Sequence, residues 1–243
     1  VWGVPPRANL RADELRLPEY FRRAGYATAH IGKLDSVKVA GRDGHHFGWT
    51  EWTGGGGYEQ RDPMVFSSRG HRRESGWTVD LWTDLAIRFV GEKREGPWLL
   101  TLAYIVPHLP WEADERFVAP FRVAGLSEEL AACYGAIAQM DENIGRLLDA
   151  LRETGQEERT IVVFVSDNGA TAPAAKHMDN EGRVPGEDWA RRNGAGLRGA
   201  KATVWEGGIR VPLLVSWPGV VPPGERTQFG RAEDVLPTLI ELA

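Results

Sequence analysis

A chain of 243 residues, 42% of them hydrophobic and 26% charged, has the composition of a folded domain able to bury a sizeable core. Its 34 acids outweigh its 29 bases to leave a formal charge of -5, and no basic block stands out, which argues against nucleic acid or an anionic membrane as partner. A lone cysteine, Cys133, excludes an internal disulfide and a cysteine-based zinc site, and no apolar run reaches the roughly 18–20 residues of a transmembrane helix.

In chain order, Leu17 to Gly25 predicts a short helix, with Pro18 at its first turn and Gly25 at its C-terminal cap. Tyr26 to Ile31 predicts a strand. Residues 35–76, rich in Gly, His and Arg and carrying Gly54-Gly55-Gly56-Gly57, read as a long loop, which in a compact domain is usually functional. Val79 to Glu92 has Leu81, Leu85 and Phe89 on one helical face. Trp98 to Ile105 reads as a buried strand. Ser127 opens the longest helix, whose apolar positions Leu130, Cys133, Tyr134, Ile137, Met140, Ile144, Leu147, Leu148 and Leu151 repeat at three and four until Gly155 stops it. That pattern makes Cys133 a small core residue. Thr160 to Val165 and Pro212 to Trp217 predict further strands, residues 170–200 a loop, and Asp234 to Ile240 a last helix.

Near-continuous apolar strands alternating with amphipathic helices predict an α/β domain: a mixed, mostly parallel sheet covered by helices on both faces. No repeat and no low-complexity linker divides the chain, which reads as one domain. Ten tryptophans are many for this length and read as core and cleft lining, or as contacts for a carbohydrate or aryl substrate.

Three strands end in polar groups: Gly32-Lys33, Pro107-His108 and Ser166-Asp167-Asn168-Gly169. Ligands of open α/β sheets bind beyond the carboxyl ends of the strands, so a cation, an imidazole and a carboxylate–amide pair should share one edge. Lys201, in Arg198-Gly199-Ala200-Lys201, is a fourth candidate. Asp and Asn oxygens suit a hard cation such as Ca²⁺ or Mg²⁺. Two lysines and a histidine suit a tetrahedral oxyanion, so the pattern points to metal-assisted hydrolysis of a sulfuryl or phosphoryl ester. Each residue also has a plainer reading. Asp-Asn-Gly after a strand makes a turn, because Asn and Gly tolerate positive φ. Lys33 can be a solvated strand end, and His108 can cap a turn between prolines. His45, His46 and His177 sit among loop residues and read as structural.

The ordered segments Ser166-Asp167-Asn168-Gly169, Arg198-Gly199-Ala200-Lys201 and Glu206-Gly207-Gly208-Ile209-Arg210-Val211-Pro212 resemble consecutive motifs of the sulfatase family, within the alkaline phosphatase superfamily. So do Ala24 to Lys33, Pro107-His108-Leu109-Pro110 and Asp234 to Leu239, and together they cover nearly the whole chain. The resemblance implies hydrolysis of a sulfate ester by a formylglycine nucleophile, made from Cys or Ser in a C/S-x-P-S/A-R motif, beside Ca²⁺. It implies Asp167 and Asn168 as metal ligands, Lys33 and Lys201 as holders of the sulfate oxygens, and His108 as a sulfate contact or proton donor to the leaving oxygen. The substrate would be a sulfated small molecule or carbohydrate, chosen by residues 36–76 and 170–200. Periplasmic, secreted or lysosomal placement follows from the resemblance alone, and the oligomeric state stays open.

Two departures qualify the match. No C/S-x-P-S/A-R occurs, and the family's N-terminal Asp-Asp metal pair is missing. Residues 1–243 therefore read as a fragment of a sulfatase catalytic domain, with the nucleophile segment upstream and a smaller subdomain downstream. The second departure is Gly32-Lys33-Leu34-Asp35, where the family usually has Gly-Lys-x-His. Asp35 would serve as a general base only if its charge were paired, since a bare carboxylate is unfavourable beside sulfate. Some family members carry Lys-Leu-Asp here, which points to a sulfated uronate. Phosphate or phosphonate ester hydrolysis is the alternative chemistry, and a non-catalytic binding relative the alternative class. The chain expressed alone is expected to release no phenol from an aryl sulfate, and measurable turnover would contradict the fragment reading.

Overall fold

The computed structural model describes residues 16–33, 48–55, 57–93, 95–171 and 196–242. Helix α1 (Leu17–Arg23) begins where the Glu19 carboxylate accepts the Arg16 backbone N–H at 3.0 Å. It leads into β1 (Ala27–Gly32), the strand about which the main sheet is organised. On one side β1 pairs in parallel with β2 (Glu51–Gly55), and on the other with β5 (Trp98–Ala103). Strands β3 (Met64–Ser67) and β4 (Gly70–Arg73) extend the β2 side as an antiparallel hairpin, giving the order β4-β3-β2-β1-β5.

The long loop expected over 35–76 is thus corrected: its described part contains three strands. The ladder between β2 and β3 is made by main-chain groups, so Gly54 and Gly55 can pair without supplying an apolar signal. The Gly70-His71-Arg72-Arg73 strand is exposed along its length, and its polar sequence resembles a loop.

Five of six β1 positions are buried, because both faces are covered. Ala29 and Ile31 face helix α2 (Thr78–Glu92), meeting Phe89 and Val90 in one cluster and Trp82 and Ala86 in the next. Large side chains buried this way contribute about 1.5–3 kcal/mol each. On the opposite face, Thr28 Oγ1 accepts the Thr50 backbone N–H at 3.0 Å. His30 lies there too, beside Trp49 at 5.6 Å between ring centroids.

Helix α3 (Glu115–Val123), which its sequence pattern did not announce, packs on the 26-residue α4 (Glu128–Glu153). It carries Pro120 internally, and only Val118 is buried on it, so the apolar periodicity is faint. Cys133 is fully buried beside Trp111, as a core residue should be. The seam between α2 and α4 is polar at its centre. Asp80 Oδ1 accepts the Gln139 amide at 3.1 Å and the Asn143 amide at 2.7 Å, and Gln139 Oε1 accepts the Asp114 backbone N–H at 3.0 Å.

Beyond a 3₁₀ turn at Glu157–Arg159, β6 (Val162–Val165) pairs antiparallel with β7 (Leu213–Ser216), apart from the five-stranded sheet. Between them lies the short helix α5 (Glu206–Ile209), and α6 (Ala232–Leu242) faces β6 and β7 across a cleft lined by Val163, Val215, Val235 and Leu239. The result is a mixed α/β architecture with a parallel β2-β1-β5 centre flanked by helices. Among the described residues, no helix is long and apolar enough to cross a membrane.

Gln139 and Asn143 are each 2% exposed, so loss of Asp80 strands buried amide hydrogens. Asp80→Ala is expected to cost about 1–3 kcal/mol in denaturant unfolding. An unchanged midpoint would show that this seam does not depend on the carboxylate.

Candidate functional site

The carboxyl end of β1 is locked to that of β5 by backbone contact. A Cβ on Gly32, whose φ is +113°, would fall 2.1 Å from the Ala103 carbonyl oxygen, so no other residue lets the strands meet so closely. One residue on, the Lys33 N–H donates to that same oxygen at 2.7 Å. The Lys33 carbonyl accepts from His30 Nε2–H at 3.0 Å. His30 is 6% exposed, and burial holds its imidazole below the usual histidine range, against the opposing effect of this hydrogen bond. With its backbone held at both ends, Lys33 extends a half-buried side chain whose Nζ lies 4.9 Å from the Tyr58 ring centroid.

His108 follows β5 in a segment whose Val106–Pro107 and Leu109–Pro110 peptide bonds are cis. Its backbone N–H donates to Ile105 O at 2.8 Å, and its carbonyl accepts the Gln60 side-chain amide at 3.1 Å. The imidazole stacks on Tyr58 with centroids 4.0 Å apart and planes 13° from parallel. Nδ1–H donates to Leu109 O at 2.7 Å, which leaves Nε2 as the nitrogen able to exchange a proton with a ligand. Burial lowers the His108 pKa most, and the Leu109 hydrogen bond opposes it. The charges of Lys201 and Lys33 lower it further, while the Asp167 carboxylate raises it. Lys33, Lys201 and Asp167 therefore each lie within electrostatic reach of His108, though the four residues come from separate parts of the chain.

Asp167 and Asn168 sit just past β6. Ser166 Oγ–H donates to Asn168 O at 3.0 Å, and Asn168 Nδ2–H donates to Gly169 O at 3.0 Å, which closes the turn. The α5 glycines fasten this turn to the Lys201 segment. Gly169 N–H donates to Gly208 O at 2.9 Å, Gly207 N–H to Arg198 O at 2.8 Å, and Lys201 N–H to Ala170 O at 2.7 Å. These three bonds require main chains in direct contact: a Cβ on Gly169 would lie 1.9 Å from Gly207 O, and one on Gly207 would lie 2.2 Å from Gly199 O. The Arg198 guanidinium covers the Trp205 ring at 3.6 Å and closes the outer side of the junction.

Two adjacent hard oxygen donors, the exposed Asp167 carboxylate and the half-buried Asn168 amide oxygen, fit part of the shell of a divalent cation. Among the described residues, no group of three or more His, Cys, Asp or Glu gathers as a further metal site. Lys33, His108, Lys201, Asp167 and Asn168 are thus all in described positions. Asp35, His45, His46 and His177 lie outside the described residues. Tyr58, Gln60 and His30 support the site without having been singled out from sequence. The available signal was an aromatic directly after a glycine run, followed by an amide two residues on.

A family model described as Sulfatase matches residues 2–243. An uncharacterized sulfatase, YdeN, of Escherichia coli (strain K12) is 29% identical over 97% of this chain and 44% of its own length. N-acetylgalactosamine-6-sulfatase of Mus musculus is 29% identical over 99% of this chain and 46% of its own. Among solved structures, Ps i-CgsB in complex with k-i-k-neocarrahexaose superposes with a TM-score of 0.79 at 22% identity, covering 98% of this chain and 57% of that one. The chain spans about half the length of these two curated relatives.

Gly207→Ala is expected to push the Lys201 segment away from the Asp167 turn, since its methyl has no room. The cost should be about 1–3 kcal/mol in chemical denaturation, a typical overpacking penalty. Wild-type stability would show that the junction can relax at no cost.

Proposed function

The chain belongs to the sulfatase family, and from that premise we propose that the full-length protein hydrolyses the sulfate ester of a carbohydrate. The observation that carries this reading is the convergence of His108 and Lys33 on the Tyr58 ring, with Lys201 bonded back to the Asp167 turn and both within electrostatic reach of the imidazole. Paired lysine charges suit an anion with several oxygens, and a half-buried histidine beside them suits proton transfer to a leaving oxygen. A carbohydrate is favoured because the mouse relative is named for a sulfated amino sugar and the solved neighbour holds a neocarrahexaose.

In this reading Lys33 and Lys201 bind the sulfate oxygens and neutralise the charge that grows on them. In the net reaction the bond from sulfur to the sugar oxygen breaks, and a new sulfur–oxygen bond forms from the attacking oxygen. The departing oxygen takes a proton from His108 Nε2. The lysines disfavour protonation of free His108, and a bound sulfate offsets their charge, so the proton donor becomes loaded when the substrate arrives. Sulfatase-family proteins generally bind a divalent metal. Asp167 and Asn168 would hold part of its shell, and Ca²⁺ is the cation proposed for these hard oxygen donors. When bound, such an ion supplies positive charge beside the sulfate oxygens. A formylglycine is the nucleophile proposed for the full-length protein.

Replacement of Lys33 or Lys201 by Ala in the full-length protein is expected to lower kcat/KM for a sulfated sugar by about a hundredfold to a thousandfold. Calorimetric titration of Ca²⁺ into the Asp167→Ala variant should show weakened binding. Wild-type kcat/KM in both lysine variants would end the oxyanion reading, and unchanged Ca²⁺ affinity would end the metal assignment.

A further inference from the structure

Tyr58 has no part in the motifs that define the site, yet it touches two of the site's members. Its ring lies parallel to the His108 imidazole at 4.0 Å, and the Lys33 ammonium is 4.9 Å from its centroid. Both contacts fall within the range of favourable stacking and cation–π attraction. The following residues anchor it firmly. Thr78 Oγ1–H donates to Glu59 O at 2.6 Å, and the Thr78 backbone N–H donates to Gln60 O at 2.9 Å. Gln60, 4% exposed, then donates its side-chain amide to His108 O at 3.1 Å. Residues 58–60 thus grip the start of α2 with their main chain and His108 with both an aromatic face and an amide. Nδ1 of His108 is bound to Leu109 O, so that hydrogen bond and the Tyr58 stack together determine the ring plane and the direction of Nε2.

We propose that Tyr58 is a positioning residue for proton transfer: stacking on His108 and contact with Lys33 hold the imidazole Nε2 and the ammonium in a fixed relation to the departing ester oxygen. This rests on the sulfate-ester reading above. The His108–Leu109 hydrogen bond alone leaves the imidazole free to rock about that bond. A flat aromatic face at van der Waals distance removes the rocking. Tyr58 is 42% exposed, so its ring is available for replacement without opening the core.

The test exploits the chemistry of the leaving group. A nitrophenolate departs with little need of a proton, whereas a sugar alkoxide needs one. Full-length wild type, Tyr58→Leu, Tyr58→Phe and Tyr58→Trp are compared on 4-nitrophenyl sulfate and on a sulfated sugar, with thermal unfolding of each variant. Tyr58→Leu is expected to lose about tenfold to a hundredfold in kcat on the sugar. On the nitrophenyl ester it should lose far less. Tyr58→Phe and Tyr58→Trp, which keep an aromatic face, should stay near wild type on both. Equal losses on the two substrates, or wild-type kcat for Tyr58→Leu on the sugar, overturn the positioning role while leaving the sulfatase reading intact. Should Tyr58→Leu unfold early, the comparison passes to the aromatic variants, and a selective loss on the sugar in Tyr58→Phe overturns the stacking argument. A wild-type protein that hydrolyses neither ester overturns the function and the positioning role together.

Discussion

Direct contact between main chains, at places where a single methyl group would not fit, holds the candidate site in register. At the end of β1, Gly32 lets Ala103 O approach within 2.1 Å of where a Cβ would stand, and the Lys33 N–H closes on the same carbonyl. At the other side, Gly169 and Gly207 do the same for the Asp167 turn and the Lys201 segment. A backbone–backbone junction is stiffer than one mediated by side chains, because no rotamer freedom remains between the two segments. The charged side chains that project from these junctions inherit that stiffness and need few contacts of their own.

That arrangement allows like charges to be kept close. Two lysines near one half-buried histidine repel its protonated form, and burial adds to the effect, while Asp167 offsets part of it. Such a cluster is costly without an anion and relieved with one, which is the physical basis of the sulfate binding proposed for it. Tyr58 belongs to the same logic as a neutral spacer. Its ring touches both His108 and Lys33 and adds no charge to the balance.

The elements that were legible in the sequence are those whose side chains report their surroundings. β1 reads as a buried strand because helices cover it, β5 reads as a strand from its apolar run although each of its residues is only half-buried, and α4 reads as a helix because its apolar positions recur over 26 residues. The elements that the sequence pattern hides are those with few buried side chains to report. Strands β2 to β4 are held by main-chain hydrogen bonds, with glycines ending one and an exposed Gly-His-Arg-Arg forming another, so the short apolar run Met64-Val65-Phe66 is masked by polar and glycine neighbours. Helix α3 buries Val118 alone, and its position against α4 depends on Gly135, where an added Cβ would meet Val118 Cγ2 at 2.8 Å.

The residue types at the ends of the strands, Lys33, His108, Asp167 and Asn168, and the glycines of Glu206-Gly207-Gly208, were determined by the sequence alone. They were readable because chemistry and close approach each demand particular side chains, or none. Only the tertiary structure decided that Lys201 returns to the Asp167 turn, that Nδ1 of His108 is occupied so that Nε2 is left for a ligand, and that the Tyr58 ring contacts both the imidazole and the ammonium. Apart from the His108–Leu109 bond, these relations join residues far apart in the chain, Lys201 to Ala170 and Tyr58 to both His108 and Lys33, and depend on how loops fold back on one another, which no local pattern encodes.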